Sequence, residues 1–197
     1  MARITLFRHA KAEDPDLQTA DPERVLASRG RRNAARMGHF IKEKGLLPDL
    51  VIVSTATRTR QTFELASADW PDIPVLFLDS IYEAGGTTVL AAIEAHAGDC
   101  ERVMVIGHNP GLVVLLHNLV ESPPSGVNMS YFPTSCVADI GFDVRYIRIF
   151  NRSRVVCCPS SGCGNCPDKG IIRKKNQSPK HSVQEMFFDQ SLLTLVF

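Results

Sequence analysis

Arg8 and His9 follow directly on the apolar run Ile4-Thr5-Leu6-Phe7. Ser54 and Arg58 follow Leu50-Val51-Ile52-Val53, in the segment Ser54-Thr55-Ala56-Thr57-Arg58-Thr59-Arg60-Gln61-Thr62. Tyr82-Glu83-Ala84 comes after residues 75–78, and Gly107-His108-Asn109-Pro110-Gly111 after residues 103–106. Ligand sites in open α/β sheets lie beyond the carboxyl ends of the strands, so polar groups at the ends of four aliphatic runs point to one shared site. Phosphoryl transfer needs several fixed cationic donors around one nucleophile. A guanidinium suits the donor role, because its planar fork gives two hydrogen bonds to adjacent phosphate oxygens and stays charged at any working pH. Arg8, Arg58 and His108 can supply such donors, and a second imidazole, His9, can present an unprotonated ring nitrogen.

The elements that would position these groups are legible as alternating strands and helices. Residues 4–7, 50–53, 75–78 and 103–106 are short continuous apolar runs of the kind found in strands buried on both faces. Residues 26–44 carry apolar or small side chains at Ala34, Ala35, Met37, Gly38, Phe40 and Ile41, with basic residues opposite and Gly45 where a C-cap would stand. Residues 57–68, 87–97 and 111–119 give three further helices. This alternation predicts an α/β fold with a mostly parallel central sheet and helices on both faces, and residues 137–142 add a later, antiparallel strand. The stretch from Glu13 to Pro22 holds four acidic residues and two prolines, and reads as a solvated loop over the site entrance. Arginine in the first turn of a helix opposes the helix dipole, which makes a purely structural reason for Arg58 poor.

In this order and at these separations the segments resemble the histidine phosphatase superfamily, which also contains the phosphoglycerate mutases. The Ser-x-x-x-Arg-x-x-Gln-Thr and Gly-His-Asn-Pro-Gly segments are most similar to its compact SixA-type phosphohistidine phosphatases, and the resemblance runs from Met1 to about Phe142. It implies a phosphoglycerate mutase-like three-layer sandwich, with residues 1–150 as the phosphatase domain. It also implies that His9 is the nucleophile, phosphorylated and then hydrolysed, that Arg8, Arg58 and His108 stabilise charge, and that no metal ion and no cofactor takes part. Ser54 either ends its strand or contacts phosphate through its hydroxyl, and Asn109 joins the substrate-binding set. Glu83 matches the region where mutase-like members place a carboxylate general acid; a helix-start or loop carboxylate is the other reading. The implied substrate is phosphohistidine on a protein, such as a phosphotransfer domain in a signalling relay. The alternatives are a small phosphate ester, or a phospholigand-binding module whose catalysis is lost.

The chain of 197 residues, 44% hydrophobic, is long enough for one sizeable core and an appendage. A net charge of +1 gives no global field to gather nucleic acid or a membrane surface, so any electrostatic attraction must be local. A monomer, located in the cytoplasm, is the expectation. From about residue 143 the family pattern no longer applies. Residues 146–150 only approximate the closing strand of relatives, and residues 151–197 form a basic, cysteine-rich tail expected to be poorly ordered. Cys157, Cys158, Cys163 and Cys166 are too crowded for a secure zinc site, and free thiols are the simpler reading.

Overall fold

The computed structural model describes residues 2–120 and 128–142, together with the backbone of two strands at 181–188 and 193–196. Five strands carry the recognised part of the chain: β1 (Ala2–Arg8), β2 (Leu50–Ser54), β3 (Val75–Leu78), β4 (Arg102–Gly107) and β5 (Val137–Phe142). Four helices connect them: α1 (Ser28–Glu43), α2 (Thr57–Ala66), α3 (Gly86–His96) and α4 (Gly111–Leu119). The sheet is completed by β6 (His181–Phe188) and β7 (Leu193–Val196), in the order β3-β2-β4-β1-β5-β6-β7. The half formed by β3, β2, β4 and β1 is wholly parallel, and β5 lies antiparallel on β1. Strand β6 continues antiparallel on β5, so part of the tail joins the sheet edge. Residues 146–150 and the four tail cysteines lie outside the described residues.

Alternate residues of each parallel strand serve opposite faces, and both sets are apolar because helices cover both faces. Ile4, Leu6, Ile52, Val103 and Val105 pack with Val89 and Ile93 of α3 and Leu112, Leu115 and Leu116 of α4. Phe7, Val51, Val53, Met104 and Ile106 pack with Met37 and Ile41 of α1 and Ala66 of α2. One polar island interrupts the second face where β1 meets β5. There Asp139 lies opposite Thr5, takes a 2.8 Å hydrogen bond from the Thr5 hydroxyl, and forms an ion pair with Arg3.

Helix α1 begins two residues later than its pattern suggests, because Leu26 is held in an antiparallel bridge with Ala12. Gly45, just past its end, has φ +66, the left-handed conformation expected at that cap. The chain passes from β1 to β2 and leaves between them the position that β4 later fills. Such a reversal of strand order opens a crevice at the carboxyl ends of the strands concerned, here β1 and β4. Among the described residues no helix is long and apolar enough to cross a membrane.

Candidate active site

Strand β1 delivers Arg8 and His9 into this crevice and its end is fixed from both sides. The Arg8 N–H donates to the Cys136 carbonyl at 2.9 Å and the His9 N–H to the Gly107 carbonyl at 3.1 Å, while the Ser135 N–H reaches back to the carbonyls of Arg8 and His9. The next residue is anchored as well, since the Ala10 N–H donates to the Thr62 hydroxyl, which itself donates to the Arg58 carbonyl. The Gln61 side chain accepts from the Leu26 N–H at 2.8 Å. The Gln-Thr pair of the second motif therefore ties α2 to the loop that carries the nucleophile candidate.

His9 Nδ1 lies 2.8 Å from the Ala10 carbonyl. A carbonyl oxygen only accepts, so Nδ1 carries the proton and Nε2 keeps a free lone pair. Burial, above all, pushes the His9 pKa down; the Ala10 bond raises it, and the charges of His108, Arg58 and Arg8 lower it further, to about 3. The ring is neutral at any ordinary working pH. His108, from the turn after β4, stands with its ring centre 5.2 Å from that of His9. Its Nε2 is 2.8 Å from the Ser54 hydroxyl, and its pKa falls to about 4, through burial and then the charge of Arg58. Ser54 is wholly buried, so it reaches a bound group only through the His108 ring.

Among the described residues, four buried side-chain polar atoms have no hydrogen-bond partner: Arg8 Nε, His108 Nδ1, Asn109 Oδ1 and Ser135 Oγ. Arg8 Nη1 and Asn109 Nδ2 both donate to the Phe132 carbonyl, at 2.9 and 2.8 Å, which sets the two side chains beside each other. Donors held in place with an unused N–H, next to a neutral imidazole, form a cradle for an oxyanion.

Arg58 is 5% exposed and is held by a residue that the sequence left in a surface loop. Its Nη1 donates to the Asp21 carbonyl at 2.7 Å and its Nη2 to Asp21 Oδ2 at 2.9 Å. The Tyr82 hydroxyl donates to the same Oδ2 at 2.6 Å, and the Tyr82 ring stands edge-on to His108 with centres 5.4 Å apart. These bonds, that of Tyr82 first, hold the Asp21 carboxyl well below the usual carboxylate range. Burial and then the Asp21 bond raise the Tyr82 hydroxyl. Sequence reasoning missed Asp21; an arginine in the first turn opposes the helix dipole, and Asp21 supplies the counter-charge there.

The structure therefore brings together Arg8, His9, Ser54, Arg58, His108 and Asn109. Glu83 stands apart. It is exposed, has φ +48 and makes no hydrogen bond within the described residues. The segment that carries it is fixed by Gly111, where an added Cβ would sit 2.1 Å from the Ala84 carbonyl oxygen.

Half-buried Arg8, buried Arg58 and two neutral histidines gathered beyond the ends of parallel strands supply the cationic donors and the nucleophile that phosphoryl transfer needs. The model of the histidine phosphatase superfamily (branch 1) matches residues 4–88. An uncharacterised protein of Mycobacterium tuberculosis is 33% identical over 139 residues, which span 67% of this chain and 84% of that protein. The crystal structure of a candidate phosphohistidine phosphatase SixA from Agrobacterium tumefaciens superposes with a TM-score of 0.63 at 31% identity, over 71% of this chain and 90% of that one. A structure of the protein histidine phosphatase SixA complexed with tungstate has a TM-score of 0.61 at 23% identity, over 72% of this chain and 88% of that one, and attests the fold alone. The chain belongs to the histidine phosphatase superfamily, a family of phosphatases and mutases, and its SixA-like neighbours support phosphatase activity.

Proposed function

We propose that the protein is a phosphohistidine phosphatase that takes phosphate from a histidine of another protein, such as a phosphotransfer domain, through a phosphorylated His9. The observation that carries this reading is the ionised state of the carboxylate at the cradle. Among the described residues the carboxylate in contact with it is Asp21, and Tyr82, Arg24 and Arg58 hold that group ionised. An alkoxide leaving group needs a proton in the transition state. The imidazole of phosphohistidine can be protonated before the P–N bond breaks, and it then departs as neutral imidazole.

In the first step His9 Nε2 attacks phosphorus in line and the P–N electron pair returns to the substrate ring. Arg8 and Arg58 neutralise the equatorial oxygens. His108 donates from Nδ1, which requires its Nε2 to accept from the Ser54 hydroxyl, the 2.8 Å contact observed. Water then attacks the phosphoryl group on His9, its proton passes to the released phosphate, and His9 returns to its neutral form.

The test is phosphate release from a histidine-phosphorylated phosphotransfer domain by the parent protein and by His9→Ala, both checked for folding by circular dichroism, with p-nitrophenyl phosphate as an ester control. Release by the parent alone is the expected result. Turnover of the ester without turnover of the phosphodomain would overturn the assignment in favour of a small phosphate ester.

A further inference from the structure

Helix α1 carries an arginine ribbon that the site does not use. The helix buries Gly30, Asn33, Ala34, Met37, Gly38 and Ile41. Arg29, Arg32 and Arg36 are exposed. At 3.6 residues per turn these three fall within an arc of about 60° and span roughly 10 Å along the axis. Arg29 and Arg32 are three residues apart and Arg32 and Arg36 four, so each neighbouring pair sets like charges side by side, which destabilises a helix. No acidic residue stands in the first turn, where the helix dipole also disfavours cations. The acidic residue of the last turn, Glu43, pairs with His39 at 3.2 Å. Among the described residues Arg32 and Arg36 have no acidic partner. A solvated face would be served better by alternating signs, which stabilise a helix at these same spacings. The chain keeps a local positive field while its net charge is only +1.

The ribbon starts beside the active site. The Ala27 N–H donates to the Lys11 carbonyl at 3.0 Å, two residues beyond His9, and Gly30 packs so closely on Lys11 that an added Cβ would lie 2.0 Å from its oxygen. A cavity of about 340 Å³ occupies the corner, lined by Lys11, Glu13, Asp14, Arg29, Pro133 and Thr134. The cavity therefore lies between Lys11, two residues beyond His9, and Arg29, the first residue of the ribbon; of the cavity's two carboxylates, Asp14 is paired with Lys11.

We infer that Arg29, Arg32 and Arg36 form a docking surface for an acidic segment of the protein that carries the phosphohistidine. The inference rests on the reading of the substrate given above. Guanidinium forks pair with carboxylates in two-point geometry, and complementary charge at the rim of an interface raises the association rate and fixes register. A phosphate held by the cradle and carboxylates held by the ribbon would together orient one partner.

The test compares two phosphohistidine peptides that differ only in their flanks, one with Asp and Glu on both sides of the phosphohistidine and one with Gln at the same places, and adds a third, Lys-flanked peptide for the charge-reversed variant. Six flanking residues on each side reach about 20 Å when extended, enough to cross the cavity and engage the ribbon. At low salt the parent should show a kcat/KM about tenfold higher for the acidic peptide, carried by KM, and the advantage should vanish near 1 M salt, where the Debye length is about 3 Å. Arg32→Gln/Arg36→Gln should abolish the advantage while hydrolysing the Gln peptide as the parent does. Arg32→Glu/Arg36→Glu should transfer the preference to a Lys-flanked peptide. Equal turnover of the two peptides by the parent, or an advantage that survives the double Gln variant, would overturn the docking surface alone. If neither peptide is hydrolysed while p-nitrophenyl phosphate is, the phosphohistidine reading is overturned and the docking surface with it.

Discussion

Replacing Asp21 by asparagine should loosen the fold and tighten oxyanion binding at once, because the Asp21 carboxylate occupies the arginine that a phosphate would use. Arg58 Nη1 bonds the Asp21 carbonyl, a contact that survives the substitution, whereas Nη2 bonds the carboxylate at 2.9 Å and loses its ionic half. A hydrogen bond to a charged group is worth about 1.5–3 kcal/mol and a neutral one about 0.5–1.5. Arg24 Nη1 also pairs with Asp21 Oδ1 at 2.7 Å, but the Asp21 side chain is 42% exposed, and solvent screening brings the combined loss to about 1 kcal/mol. In a chain of this size that lowers Tm by about 2–4 °C. An arriving phosphate no longer has to compete with that charge, so its Kd should tighten roughly fivefold. Thermal unfolding across a phosphate titration measures both effects: Asp21→Asn should start lower and gain about 1 kcal/mol more than the parent at saturating phosphate. Tyr82→Phe serves as the control, since it removes a bond to Asp21 and leaves the ion pair. An unchanged Tm together with weaker phosphate binding would refute the reasoning and make Asp21 a residue that orients Arg58 for substrate.

Ser54→Ala leaves His108 Nε2 buried without its partner, at a cost of about 1–3 kcal/mol. The expected result is a kcat/KM lower by about fivefold or more on any phosphorylated substrate; an activity within about twofold of the parent would separate Ser54 from the site. Because His9 must be neutral to attack and its pKa lies at about 3, kcat/KM should show no acidic limb from His9 between pH 8 and 5, which a pH–rate profile checks. The same depression bears on stability. The unfolded chain, with histidine near 6.5, binds the proton more readily than the folded one, so the urea midpoint should fall as pH drops from about 6.5 towards 3. His9→Gln should make that fall shallower. Gly111→Ala drives a Cβ to 2.1 Å from the Ala84 carbonyl oxygen, and overpacking of this kind costs about 1–3 kcal/mol. It should also shift Tyr82 away from His108, which fluorescence of the tyrosines and a raised KM would report.

The parts of the molecule legible in the sequence are those whose causes are local. Leu50 to Val53 and Val103 to Ile106 are aliphatic at every position because helices cover both faces of their strands, and that continuity marks them before any contact is known. Arg8, His9 and His108 follow from the strand ends, since the crevice of a parallel sheet opens there. Asp21 has no such local cause. The loop from Glu13 to Pro22 offers four carboxylates, and Asp14 and Asp16 satisfy Lys11 and the backbone of Gln18 and Thr19 close by. Only the short helical turn Asp21–Glu23, packed on α2, puts the fourth beneath Arg58 and Tyr82, 37 and 61 residues further along the chain. The dipole argument spoke against a purely structural Arg58 and named no carboxylate of the chain, because its pairing with Asp21 is a tertiary contact. Ser54 was equally open, since a serine that ends a strand can face a ligand or a neighbouring side chain, and the fold sets its hydroxyl 2.8 Å from Nε2 of His108, which follows β4. Glu83 stays open between a general acid and a loop carboxylate: it follows Tyr82, has φ +48, is exposed and makes no hydrogen bond among the described residues. Where a side chain's role depends on a partner distant in sequence, its type and spacing define the demand for that partner, and only the fold identifies it.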